Sequence, residues 1–74
     1  EVPLMEILYF FRHRTAGWEG VVCRRDDGRC FITDGRGAWE VNEKRHALLV
    51  PVPKISPETL RRCQEKFPVI RQAL

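Results

Sequence analysis

Asp27-Gly28-Arg29-Cys30-Phe31-Ile32-Thr33-Asp34-Gly35-Arg36 is the stretch that decides how this chain folds. It holds two copies of Asp-Gly-Arg, seven residues apart. Asp-Gly between strand-like runs is the strongest short-range hairpin signal a sequence carries. The residues between the copies, Cys30 to Thr33, therefore read as a short central strand. The pair predicts a three-stranded antiparallel meander with an arginine at each turn.

The turns also predict a register. A loop of Asp27 and Gly28 alone sets Arg25 opposite Cys30, Arg24 opposite Phe31 and Cys23 opposite Ile32. A loop of Asp34 to Gly37 sets Thr33 opposite Ala38, Ile32 opposite Trp39 and Phe31 opposite Glu40. One face then collects Val21, Cys23, Cys30, Ile32, Trp39 and Val41, which reads as a core. The other collects Val22, Arg24, Phe31, Thr33, Ala38 and Glu40. A slip of one residue exchanges these faces, so the assignment rests on the loop lengths.

Upstream, Trp18 to Arg25 reads as a strand in which Gly20 marks a bulge or a close backbone approach. Arg14-Thr15-Ala16-Gly17 is a turn. Leu4 to His13 is rich in aromatic and β-branched residues and reads as a strand. Both of its faces are apolar, so period alone does not separate this strand from a helix starting at Pro3.

Downstream, Asn42 to His46 is a polar, charged connection. Ala47 to Val50 is strand-like, and Pro51 and Pro53 make it an edge strand or an extended exit. Ser56-Pro57-Glu58 starts a helix, with Ser as N-cap and Pro at the first helical position. Leu60, Cys63 and Phe67 form its apolar stripe. Pro68 ends or kinks the helix, and Val69 to Leu74 reads as a further helical turn. The fold class is thus small α+β: a twisted antiparallel meander of four or five strands with a C-terminal helix on one face. Leu60, Cys63 and Phe67 are expected to pack on Ile7, Val21, Ile32, Trp39 and Val41.

The chain has 74 residues, enough for a single small domain, residues 1–74, of a kind that can also sit inside a longer protein. A domain of this size buries about 60–65% of the surface its unfolded chain exposes, so its core is thin. Hydrophobic residues make up 43% and charged residues 31%, which argues against wholesale disorder. The longest apolar run, Leu4 to Phe11, is too short to cross a bilayer and lacks the basic leader of a signal peptide. No membrane partner is expected. Three cysteines, Cys23, Cys30 and Cys63, are too few for a disulfide scaffold, which points to an intracellular setting, cytoplasm or nucleus.

Neither catalysis nor cofactor binding has a motif here. No nucleophile elbow, phosphate-binding loop, zinc-protease helix or dinucleotide fingerprint occurs. Asp26 and Asp27 are explained by turn chemistry. Three Cys with His13 and His46 match a zinc set in number, but none are paired at knuckle spacing. No enzyme activity, metal or cofactor is expected, and the cysteines are expected to be free thiols.

The basic residues carry the functional lead. Net charge is +3, and the sequence supplies the planar guanidinium far more often than lysine. Arg12 and Arg14 flank the first turn, Arg24, Arg25 and Arg29 surround the second, and Arg36 tips the third. Alternate turns of a meander lie at opposite ends, so Arg12, Arg14 and Arg36 share one end and Arg24, Arg25 and Arg29 the other. Such clusters suit phosphate contacts. Phe31, with Arg24 opposite, and Trp18, beside a turn, are candidate platforms for stacking a base. On the helix, Glu58–Arg62 and Arg61–Glu65 are i,i+4 pairs that need no ligand, so the hairpin set Arg24, Arg25 and Arg29 is expected to bear most of the binding. The first expectation is a nucleic-acid-binding domain. The alternative is a protein-interaction or self-association module that uses the surplus apolar face of the N-terminal strand.

Overall fold

The computed structural model describes residues 5–67 and the backbone of residues 70–72. The predicted meander is present. Strand β1 (Met5–His13) pairs antiparallel with β2 (Glu19–Arg25), β2 with β3 (Cys30–Thr33), and β3 with β4 (Ala38–Glu40). A single helical turn, α1 (Glu43–His46), leads to β5 (Leu49–Val52), which pairs antiparallel with the free side of β1. Helix α2 (Pro57–Lys66) follows, and β6 (Ile70–Gln72) lies parallel to Met5–Ile7. The sheet therefore runs β4-β3-β2-β1-β5, with β6 continuing the β5 side along the first half of β1. This is the small α+β architecture expected: an open antiparallel sheet with a C-terminal helix.

Three local findings correct the expected details. The β2–β3 hairpin closes one residue later than a two-residue loop allows. Cys23 faces Phe31 and Arg24 faces Cys30. The Arg25 amide donates to the Arg29 carbonyl at 2.9 Å, and Asp26, Asp27 and Gly28 form the loop. The reason lies in φ. A two-residue type I′ turn needs positive φ at both central positions, but only Gly28 adopts it, at +88°. A three-residue loop with glycine last needs it once.

The shift moves β3 and β4 by one face relative to β2. Val21 and Cys23 now lie on the helix side, while Ile32, Trp39 and Val41 lie on the other. The second turn keeps the predicted register, with Thr33 opposite Ala38 and Ile32 opposite Trp39. Trp39 is consequently not core: it sits at the end of the far-side cluster and is 40% exposed.

The second finding is a bulge. Between Ile7 and Tyr9 the register with β2 shifts, and Leu8 is the extra residue. Ile7 and Phe10 thereby join Val21, Ile55, Leu60 and Cys63 under α2. Tyr9 and Phe11 turn to the opposite face with Val22, Ile32, Leu49 and Trp18. One doubly apolar strand thus feeds two small cores, one on each side of the sheet. Helix α2 packs on Ile7 and Val21 as expected, but Ile32, Trp39 and Val41 are out of its reach on the far face.

The third finding concerns the connections. Asn42 to His46 is helical because Asn42 caps it, accepting from the Arg45 amide through Oδ1 at 2.8 Å. Residues 70–72 are strand rather than helix, since parallel pairing to Met5–Ile7 satisfies their backbone through a neighbour that a short isolated helix lacks. Pro68, Val69, Ala73 and Leu74 lie outside the described residues. Ser56 caps α2 as expected, accepting from the Thr59 amide at 3.2 Å. Pro51 sits on an edge strand, opposite Phe11. No helix among the described residues is long and apolar enough to cross a membrane.

Candidate nucleic-acid interface

The two Asp-Gly-Arg turns have the same local chemistry. Asp27 Oδ1 accepts from the Arg29 amide at 3.0 Å, and Asp34 Oδ1 accepts from the Arg36 amide at 2.9 Å. Each carboxylate thus fixes its own turn, and each turn holds its arginine out in solvent. Beyond this the turns differ. Gly28 lies in open space, whereas a Cβ on Gly35 would stand 2.7 Å from Arg62 Cγ. The second turn is docked on α2: Arg62 donates from Nε and Nη2 to the Asp34 carbonyl at 3.2 and 3.1 Å. Arg62 therefore works on a turn carbonyl rather than pairing with Glu58.

At the β2–β3 end, the expected arginines are largely engaged. Arg24 pairs with Glu6 across the strands at 3.2 Å. Arg25 pairs with Asp27 at 2.7 Å, and its guanidinium lies 5.3 Å from the Phe31 ring centroid. It is thus Arg25, not Arg24, that meets Phe31, and it covers the ring proposed as a platform. Arg29 remains exposed at the tip. A depression of about 400 Å³ is lined by Glu6, Arg24, Arg25, Asp26 and Gly28, so acidic groups share it with the arginines.

The opposite end is differently charged. It carries the Arg14–Ala16 turn, the Asp34–Gly37 turn and α1, since the Arg14 amide donates to the Leu48 carbonyl at 2.7 Å. Arg14 and Arg36 are exposed here. Among the described residues the ion pairs within 4.0 Å are Arg24–Glu6 and Arg25–Asp27, so neither Arg14 nor Arg36 is in one. Arg12 lies on the helix face opposite Glu19. Glu19 Oε2 accepts from the Ser56 amide at 2.9 Å. That bond holds the Glu19 carboxyl below its ordinary range against partial burial, and Arg12 adds to the effect.

Between these turns, on the face away from α2, lies an aromatic groove of about 380 Å³. The aromatic residues Trp18, Trp39 and His13 line it together with Ile32, Leu48, Asn42, Lys44 and Arg45. The rings are mutually arranged. Trp18 meets Phe11 edge-on at 5.3 Å and carries His13 stacked on it at 5.2 Å. Trp39 approaches Trp18 at 5.8 Å with a tilt of 49°. His13 is held in turn, its Nδ1 accepting from the Ala16 amide at 3.0 Å. Trp39 is held by Gly37, where a Cβ would come within 3.0 Å of the indole. Arg45 is anchored by donating Nη1 to the Glu40 carbonyl.

Of the residues singled out from sequence, the fold brings Trp18, Arg14 and Arg36 to this end. It sends Arg24, Arg25, Arg29 and Phe31 to the other, and leaves Arg12 on the helix face. Trp39, Lys44, Arg45 and His13 were missed. The missed signal was the loop length: a three-residue first turn places Trp39 outside the helix-side core and beside Trp18. Compared with protein-family models, curated proteins and solved structures, the chain matches none.

Proposed function

We propose that this domain binds nucleic acid, with arginines at the sheet ends as phosphate contacts. The observation that carries the reading is the uneven pairing of cations. Arg24 and Arg25 are tied to carboxylates, while Arg14 and Arg36, with Lys44 and Arg45, make no ion pair within 4.0 Å among the described residues; Arg36 is nonetheless near enough to Asp34 to help lower its carboxyl pKa. Exposed guanidinium groups on rigid turns suit phosphate oxygens, and they add affinity without sequence choice. Each turn is fixed by its own Asp, so little ordering is needed on binding.

The interaction-module reading draws less support. It rested on a surplus apolar face of the N-terminal strand, and Ile7 and Phe11 are spent within the chain's two cores. Leu8, at the bulge, is the strand's exposed large apolar side chain, at 37%.

Affinity for duplex and single-stranded DNA, measured as salt is raised, tests the proposal. Binding should weaken linearly in log–log form. The double reversal Arg14→Glu/Arg36→Glu should weaken it more than Arg24→Glu/Arg25→Glu, because the second pair is already neutralised. Equal losses would remove the argument from pairing. Absence of binding to either form at low salt, with a dimer or a captured protein partner instead, would replace this reading with the interaction module.

A further inference from the structure

We infer that the Trp18–Trp39 groove is a stacking site for one unpaired base of a single-stranded nucleic acid, with the adjoining phosphate on Lys44 and Arg45. This rests on the proposed nucleic-acid reading and names the form of ligand and the site that takes it.

The first support is the state of Trp39. Its neighbour Ile32 is buried, yet the indole is 40% exposed. It is nonetheless not loose. Gly37 packs against its six-membered ring, and Trp18 stands 5.8 Å from it. A fixed, exposed indole is a preorganised stacking surface. Trp18 is less available, because His13 lies nearly parallel over it at 5.2 Å and Phe11 meets it edge-on. The two rings therefore divide the work: Trp18 is a wall braced by the core, and Trp39 offers its ring to the ligand.

Size and charge select the occupant. A groove of about 380 Å³ lies within the usual range for small-ligand sites and suits one nucleotide better than a duplex. Lys44 and Arg45 are among its lining residues, and no Asp or Glu lines it. That argues on charge against a cationic occupant. A quaternary or methylated ammonium group would face two cations. A phosphate attached to a planar base finds a cation and an aromatic ring at once. Arg45 is held by its bond to the Glu40 carbonyl, so the charge is placed before the ligand arrives.

A base inside a duplex cannot enter such a groove without leaving its stack, which costs a few kcal/mol. The site therefore predicts preference for single strands, whether DNA or RNA, and leaves duplex binding to the turn arginines. Tryptophan fluorescence of the intact chain, titrated with oligothymidylate, oligouridylate and a duplex of mixed sequence, tests this directly. Both single strands should quench the emission and bind more tightly than the duplex. Similar affinity for the two would mark the shared base-and-phosphate chemistry, and a difference would identify the sugar as a further contact.

Trp39→Ala should weaken single-strand binding roughly 5- to 100-fold while leaving duplex binding within about twofold. Trp39→Phe, which keeps an aromatic face, should restore most of the loss. Lys44→Ala/Arg45→Ala should weaken single-strand binding and flatten its salt dependence. Circular dichroism of each variant separates loss of the site from loss of the fold. Wild-type chain that binds duplex and single strands alike, with Trp39→Ala changing neither, would overturn the stacking site and leave the general nucleic-acid reading standing. No binding of any nucleic acid would overturn both. Quenching by an uncharged proline-rich peptide but not by oligonucleotides would assign the groove to a protein ligand and overturn the inference.

Discussion

At the scale of single residues, carboxylates hold this chain's turns. For Asp34, burial acts to raise the carboxyl pKa, but the amides of Arg36 and Gly37 donate to it and hold it below its ordinary value. Glu19 is held low mainly by the Ser56 amide. A carboxyl whose folded pKa is depressed stabilises the fold above its unfolded pKa, and that stability is lost as pH falls through the folded pKa. The urea midpoint should therefore be flat near neutrality and fall on acidification below about pH 4–5. Asp34→Asn and Glu19→Gln should each lower the neutral midpoint and shallow the acid decline. Parallel curves for wild type and both variants would show that these bonds do not couple to folding. The thiols give a second residue-scale expectation. Cys23 and Cys63 are fully buried, and desolvation pushes each thiol up to about 11. Cys23 and Cys30 also fall on opposite faces of the sheet, since Arg24 is the residue paired with Cys30. Native-state alkylation near pH 8 should be confined to Cys30, which is only partly buried. Rapid modification of Cys23 or Cys63 without denaturant would mean that the helix-side core opens readily.

At the scale of elements, close backbone approach governs which substitutions the sheet tolerates. Gly20 faces Phe11 across β1 and β2, and a Cβ there would overlap the Thr33 carbonyl and come 3.0 Å from the Phe11 ring. Gly20→Ala should cost about 2–3 kcal/mol or more, measured by urea unfolding, because neither neighbour is a flexible side-chain end. A neutral result would show that the β2–β3 pairing can spread. Gly28→Ala has open space around it but needs positive φ, so its cost should be smaller, about 1 kcal/mol. The same elements show what the sequence made legible. The meander strands, the positions of both turns, the edge position of Pro51 and the Ser56 cap were readable, because Asp-Gly, Pro and Ser act locally through φ and backbone hydrogen bonds; the strand at residues 70–72 was not. The faces were not. Two-residue and three-residue Asp-Gly loops differ by whether Asp27 takes positive φ, which composition does not reveal. The Leu8 bulge was also hidden, because it has no glycine or proline to mark it. Those two irregularities together decide which aromatic residues are core and which line a groove. The arginines were therefore legible as a set, but their division into paired and unpaired groups was not.

At the scale of the molecule, a single strand supports two cores, so stability and the proposed site are unequally distributed. Phe11 is fully buried, covers Gly20 and meets Trp18 edge-on, and Leu49 lies in the same cluster. Val22 and Ile32 are also buried there, with Tyr9 and Val41 packed against them. Trp39 stands at the margin of that cluster on a three-residue strand whose side chains are all exposed. Domains of this length are stable by roughly 4–11 kcal/mol. Phe11→Ala removes a buried ring and leaves a cavity, a change that costs about 3–5 kcal/mol. It should therefore consume much of the total and leave a chain that is partly unfolded at 37 °C. Trp39→Ala removes a ring that is 40% exposed and takes no carbonyl partner away, so it should cost less, about 1–3 kcal/mol. Thermal unfolding followed by circular dichroism checks the contrast: a large drop in Tm for Phe11→Ala beside a clearly smaller drop for Trp39→Ala. If Trp39→Ala proved as costly as Phe11→Ala, the indole would be a core residue in solution, with no open face to offer a base. If the contrast holds, a ring that adds less to stability than the buried Phe11, and that shares an open groove with Lys44 and Arg45, is placed for contact with something outside the chain.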